Sequence, residues 1–293
     1  PLSIIPNAFQ IMMSMEIYSS IETGFRMIRK VLTMPELVRP NQEVTLSDQC
    51  YRFENVSFSY EKGIEVLHDI NFEVKPNSVF AIVGESGSGK STIAKLMAGF
   101  FDADDGRIYF GDQDVKSIPT SQLMKHVAYV AQDNFLFDTS IRENLKIAKA
   151  DATDEEIQAA LKAANCLELI ERLPEGLNSN AGDCGKFLSG GERQRITLAR
   201  AMLADAQCII LDEATAYADV ENEAKIQEAL SRLMKDKTLI VVAHRLNTIV
   251  GADQIMVLAH GKIESIGTHK ELIQNSSAYQ KLWQSYSGKE VVE

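Results

Sequence analysis

The sequence predicts an α/β fold: a largely parallel sheet covered by helices on both faces, preceded by an antiparallel β segment and interrupted by a helix-rich stretch. Three observations carry this. Short, unbroken apolar runs at residues 79–83, 127–130, 208–211 and 239–243 alternate with stretches of helical periodicity, as expected for strands buried on both faces. Residues 51–60 and 66–74 instead alternate apolar and polar side chains around a turn at Gly63, the signature of antiparallel pairing. Finally, the first apolar run leads directly into a glycine-rich octapeptide and then into helical spacing from Thr92 to about Ala98.

Between the second and third runs, residues 142–203 read as helix-rich, with turns at 174–176 and at Gly190-Gly191. A last strand at 255–258 meets residues 263–266 through a turn at His260-Gly261. At the start of the chain, a helical pattern extends to about Met34, and Pro35, Pro40 and the polar residues 41–49 break it. Periodicity alone leaves two readings of this opening helix open: a core helix, or the end of a membrane helix.

Composition narrows the function classes. A hydrophobic fraction of 45% suits a globular core, and a net charge of −11 argues against a nucleic-acid partner. The four cysteines, Cys50, Cys166, Cys184 and Cys208, form no CxxC pair and have no neighbouring His cluster, so zinc and disulfide frameworks are not expected. Single thiols suit a reducing compartment, and Cys208, inside an apolar run, reads as a small core residue.

In parallel sheets, ligands bind beyond the carboxyl ends of the strands. Each of the four apolar runs leads there into groups suited to phosphate chemistry: Gly84 after Val83, Gln132 after Val130, Asp212 and Glu213 after Leu211, and His244 after Ala243. The stretch Gly84-Glu85-Ser86-Gly87-Ser88-Gly89-Lys90-Ser91 fits G-x-x-x-x-G-K-[ST], the P-loop. Its glycines let successive N–H groups turn toward phosphate oxygens, Lys90 reaches the β and γ phosphates, and Ser91 ligates Mg²⁺. The helix opening at Ser91 and Thr92 presents its positive end to the anion. Asp212 is placed to hold Mg²⁺, and Glu213 to deprotonate the attacking water. Taken alone, an Asp-Glu pair or a His at a strand end also fits an ordinary solvated surface; their company with the P-loop favours the phosphate reading.

Leu188-Ser189-Gly190-Gly191-Glu192-Arg193-Gln194-Arg195 resembles the LSGGQ signature of ABC ATPases, with Glu192 where Gln is usual. The resemblance covers nearly the whole chain. It implies a P-loop NTPase core with an antiparallel β subdomain and a helical signature subdomain at about residues 135–195. Tyr60 looks like the aromatic residue that stacks on adenine. Gln132 resembles the glutamine that contacts Mg²⁺ and faces the transmembrane part, and His244 the histidine that senses the γ phosphate. Asp183 sits where exporter-type members carry a short acidic loop. Residues 1–47 resemble the junction from the last membrane helix of an exporter-type half-transporter, with residues 48–293 as the ATP-binding domain.

What the resemblance implies is Mg²⁺-dependent ATP hydrolysis at the cytoplasmic face of a membrane, coupled to transport. The partners would be a transmembrane domain of the same polypeptide and a second ATP-binding domain, identical or not, packed head to tail. Ser189, Gly190 and Gly191 of one copy would then complete the γ-phosphate cage of the other. One departure is Ala216-Tyr217-Ala218-Asp219, where the family usually has Ser-Ala-Leu-Asp; this variant is similar to that of some exporter-shaped transporters that handle iron chelators. The rival readings are a soluble, non-transport ABC ATPase and a P-loop GTPase or small-molecule kinase. The GTPase lacks support because no N-K-x-D motif is present, and kinases lack the signature.

Overall fold

The computed structural model describes residues 4–33, 37–47, 50–212, 225–226, 228–229, 237–243 and 246–287. It divides into two compact units, residues 1–38 and residues 39–293. The first is a single helix, α1 (Ile4–Leu32), with Arg29 and Lys30 in its last turn, where cations complement the helix dipole. Large apolar side chains along its described part are exposed, among them Tyr18, Phe25 and Leu32. No helix among the described residues is long and apolar enough to cross a membrane.

In the second unit, β1 (Tyr51–Glu61) and β2 (Ile64–Val74) pair antiparallel around the turn at Gly63. Burial along β1 alternates at Tyr51 and Phe53, then slips by one residue to Val56 and Phe58. A bulge at Asn55 (φ 50°) makes the slip. It requires glycine opposite: a Cβ on Gly106 (φ 80°) would lie 2.3 Å from the Asn55 carbonyl oxygen. Two further strands, β4 (Asp105–Phe110) and β5 (Gln113–Asp114), complete a sheet of order β2-β1-β4-β5. Sequence reading missed both. β5 is two residues long, and β4 opens on Asp105-Gly106-Arg107, so only Ile108 and Phe110 alternate.

The second sheet has the order β10-β9-β3-β8-β7-β6. β3 (Val79–Val83), β6 (Val127–Val130), β7 (Cys208–Asp212), β8 (Thr238–Val242) and β9 (Gln254–Ala259) are parallel, and β10 (Lys262–Gly267) folds back antiparallel on β9. The expected apolar runs are all strands. All five residues of β7 are buried, and burial pushes the Cys208 thiol well above its ordinary range, as suits a core residue.

Helices cover this sheet. On one side α2 (Lys90–Met97) and the antiparallel sheet share a core that includes Phe53, Phe80, Leu96 and Ile240; α3 (Thr120–His126) contributes Leu123 to it. On the other side α4 (Ile141–Lys146), α5 (Asp154–Ala163), α6 (Leu167–Arg172) and α7 (Gly190–Leu203) enclose a second core with Leu145, Ile157, Ile196 and Leu211. The helices α8 (His269–Asn275) and α9 (Ser277–Ser287) supply Leu272 and Tyr279 to a third. Gly190-Gly191, expected to be a turn, is instead the first turn of α7. Ser189 caps it: its Oγ accepts from Glu192 N, and the Glu192 carboxylate accepts from Ser189 N.

Residues 39–47 belong to the second unit. The Arg39 guanidinium pairs bidentately with Asp102 at 2.7 and 3.0 Å, and Val44 exchanges two hydrogen bonds with the Gln122 amide.

Candidate functional site

Because β3, β8, β7 and β6 are parallel neighbours, their carboxyl ends share one edge of the sheet. At that edge Gly84 leaves β3, and the loop closes on the Ser88 N–H, which donates to Glu85 O at 3.2 Å. Two glycines are forced here. A Cβ on Gly84 would stand 2.1 Å from Leu258 O, and one on Gly89 (φ 104°) 2.7 Å from the Leu67 side chain. Glu85, Ser86 and Gly87 are exposed; Ser88, Gly89, Lys90 and Thr92 are buried. The Lys90 ammonium, in a residue 4% exposed, arches back over the loop and donates to Gly84 O at 3.0 Å and Glu85 O at 2.9 Å. Ser88 Oγ is buried and has no hydrogen-bond partner among the described residues. Such an orphan is costly unless a ligand satisfies it. With α2 carrying no acidic residue in its first turn, the loop is built to receive an anion.

Next to Lys90, the Ser91 hydroxyl donates to Asp212 Oδ1 at 2.8 Å, joining the loop to the end of β7. The Tyr129 hydroxyl, from β6, donates to Asp212 Oδ2 at 2.7 Å. Burial, and then the Asp212 carboxylate, raise the Tyr129 phenol well above its ordinary range, so it stays protonated and donating. Its ring meets Phe100 edge-on, with centroids 5.0 Å apart. A hydroxyl and a buried carboxylate are hard oxygen donors, which fits Mg²⁺. Tyr129 escaped the sequence reading: its tyrosine lies inside an apolar run and read only as strand. The signal available was a lone phenol in a run otherwise made of Val and Ala.

Tyr60, at the end of β1, is 47% exposed. Phe58 and Phe101 meet its ring edge-on, with centroids at 4.9 and 5.3 Å, and its hydroxyl lies 3.1 Å from Thr92 Oγ1. An exposed aromatic ring is thus anchored to the residue that follows Ser91. Gln132 is exposed in the loop after β6, and its carbonyl accepts from Asn134 Nδ2 at 3.2 Å. Among the described residues no hydrogen bond joins it to Ser91 or Asp212. Glu213 and His244 lie outside the described residues, as do residues 216–219; each of the first two directly follows a described segment, at Asp212 and Ala243.

The signature turn is a separate constellation. Ser189 is exposed, Gly190 and Gly191 open α7, and Arg193 Nη1 fastens the turn by donating to Leu188 O at 2.8 Å. Glu192 also takes an ion pair from Arg172, the last residue of α6. Burial pushes the Glu192 carboxyl up, but the Ser189 N–H and the Arg172 guanidinium outweigh it and hold the group below its ordinary range. Among the described residues no hydrogen bond or ion pair links Ser189, Gly190 or Gly191 to residues 84–92. Asp183 and Cys184 are exposed in the loop before the signature.

A glycine cradle under a lysine, with the buried Ser88 hydroxyl and a Ser–Asp pair beside it, has the geometry of a P-loop, the class of nucleotide-binding proteins. The family described as ABC transporter matches residues 67–216, just over half of the sequence, and the chain belongs to it. Its ATP-binding domain is the part present. The chain is 47% identical over 233 residues to the "Mycobactin import ATP-binding/permease protein IrtA" of Mycolicibacterium smegmatis, covering 80% of this chain and 27% of that protein. It is 48% identical over 232 residues to the "Heavy metal tolerance protein" of Schizosaccharomyces pombe, covering 79% and 28%. Against the "Putative multidrug export ATP-binding/permease protein YgaD" of Bacillus subtilis it is 47% identical, covering 79% and 40%. Among solved structures it is similar to a bacterial Atm1-family ABC exporter with ATP bound, at a TM-score of 0.83 and 34% identity, over 92% of this chain and 47% of that one. The chain therefore spans between about a quarter and just under half of the length of these relatives.

Proposed function

We propose that this domain binds and hydrolyses MgATP to drive a membrane transporter, working as a head-to-tail dimer with a second ATP-binding domain. The observation that carries it is the buried Ser88 hydroxyl, without a partner among the described residues, in the same loop as Lys90 and directly followed by the Ser91–Asp212 pair. The loop from Gly84 to Thr92 grips the phosphates and Tyr60 stacks on the adenine. Ser91, Gln132 and Asp212 would hold Mg²⁺, which supplies charge neutralisation at the β and γ phosphates. Glu213 accepts the proton of the attacking water, and His244 holds the γ phosphate and that water in register. Ser189, Gly190 and Gly191 close the cage of the opposite copy.

That relatives carry "permease" in their names supports a membrane-spanning part in the same polypeptide, with this domain on its cytoplasmic face. The names span mycobactin import, heavy-metal tolerance, multidrug export and lipid A-core flipping at 43–48% identity. Cargo choice is therefore assigned to that membrane part, and the motor to this one.

The test is Glu213→Gln, which keeps size and removes the proton acceptor. ATP binding should survive, and turnover should fall about 10²-fold or more, the scale of a lost general base. With ATP and Mg²⁺ the variant should accumulate as a dimer in size-exclusion chromatography, and a second change, Ser189→Arg, should abolish that dimer. Turnover at the parent rate would place the base elsewhere. A double variant that still dimerises would remove the signature from the interface.

A further inference from the structure

We propose that Arg172 is a positioning residue for the signature turn: it neutralises Glu192, so that a carboxylate can shape this turn without repelling the γ phosphate of the opposite copy. The inference rests on the head-to-tail reading above and deepens it. In this chain the residue at the third helical position of α7 is Glu192, where the family usually has an amide. The capping geometry shows what the carboxylate does. Oε2 accepts from Ser189 N at 2.8 Å, while Ser189 Oγ accepts from Glu192 N at 3.3 Å. The Ser189 oxygen is thereby occupied as an acceptor from within its own helix, and its O–H is left to donate outward. A turn meant to hold a phosphate oxygen needs that polarity.

An amide could accept from Ser189 N equally well and would carry no charge. Glu192 brings a full negative charge to within three residues of Ser189, on a side chain only 15% exposed, where solvent screens it incompletely. The other carboxylate oxygen, Oε1, is paired by Arg172 Nη2. Arg172 closes α6 and Glu192 lies in the first turn of α7, so each charge also complements its own helix dipole. The Arg172 side chain is 68% exposed, and an exposed partner contributes little to fold stability. Its consequence should appear where an anion approaches the turn.

The experiment uses the full chain carrying Glu213→Gln as parent, with ATP and Mg²⁺, and reads the ATP concentration that gives half dimer. Arg172→Gln should raise that concentration roughly three- to thirty-fold, the range for one uncompensated charge near the surface, with an unchanged melting curve. Glu192→Gln alone should dimerise at least as well as the parent. Arg172→Gln with Glu192→Gln should return to the parent value, and 0.5 M salt should shrink the Arg172→Gln defect. The rescue separates charge compensation from a structural role, because a merely structural loss would persist in the double variant. If the parent dimerises and Arg172→Gln does so equally, or if the defect survives in the double variant, the role of Arg172 is refuted alone. If the parent binds ATP yet stays monomeric, the head-to-tail reading fails and this proposal falls with it.

Discussion

Replacing Tyr129 with Phe removes one oxygen atom and leaves the ring against Phe100 in place, so the change isolates the hydrogen bond to Asp212. That bond is 2.7 Å long and runs from a neutral phenol to a carboxylate in a residue only 4% exposed. A hydrogen bond to a charged group is worth about 1.5–3 kcal/mol, and the loss is felt most where water cannot replace the donor. For a unit of this size each kcal/mol moves the melting midpoint by about 2–4 °C, so Tyr129→Phe should melt roughly 3–12 °C below the parent. Asp212 would keep the Ser91 donor on Oδ1 and lose the group that fixes Oδ2. On the function proposed above, the Mg²⁺ concentration giving half-maximal turnover should then rise several-fold, while ATP affinity in the presence of chelator stays close to the parent, because Lys90 and the glycine loop are untouched. Calorimetry and a Mg²⁺ titration of ATPase rate measure the two effects. A melting point within 1 °C of the parent, together with an unchanged Mg²⁺ requirement, would refute the reasoning: the bond would then contribute nothing.

Two further outcomes are expected. Tyr60→Ala should weaken ATP binding about ten-fold or more, since stacking on a base is worth about 1–3 kcal/mol; a calorimetric titration giving the parent affinity with an intact fold would remove Tyr60 from the adenine site. Deleting residues 1–38 should leave the second unit folded and able to bind nucleotide, whereas deletion through Pro40 should lower its melting point by a further 3 °C or more, because it takes away Arg39 and its bidentate pair with Asp102. Equal melting of the two truncated chains would show that this pair adds nothing.

The parallel strands were legible because burial on both faces leaves an unbroken apolar run. The phosphate loop was legible for a different reason. Gly84 is dictated by crowding against the Leu258 carbonyl and Gly89 by its left-handed φ of 104°, so the motif records a steric requirement as well as a chemical one. What sequence reading missed shares one trait: it depends on which distant segment lies alongside. β4 is recognisable mainly as the partner of β1, because its own pattern is too short and too polar. The Arg172–Glu192 pair joins residues 20 positions apart on two helices, and neither charge is unusual on its own helix. Tyr60 was picked out by its place in the chain, but the Phe101 ring and the Thr92 hydroxyl that hold it come from later segments.

Tyr129 shows how little was missing. In the parallel register Tyr129 stands opposite Ile210, and Asp212 lies two residues further along β7. Side chains two apart on a strand share a face, so once β6 and β7 are neighbours, a phenol and a carboxylate must meet on the same side of the sheet. Every component of that deduction is in the sequence except the adjacency. Chain order alone does not fix it: β6 and β7 are consecutive strands and do pair, but β3, the strand feeding the phosphate loop, lies between β8 and β9. The same ordering places the P-loop strand two positions away from β7, with β8 between them, and lets Ser91 reach across to Asp212 at 2.8 Å. Asp212 therefore receives one hydroxyl from each side: Tyr129 from the adjoining edge strand, and Ser91 from the helix beyond β3. A carboxylate held from both sides has one orientation, and on the function proposed above that is what a group meeting a small, geometrically strict cation requires.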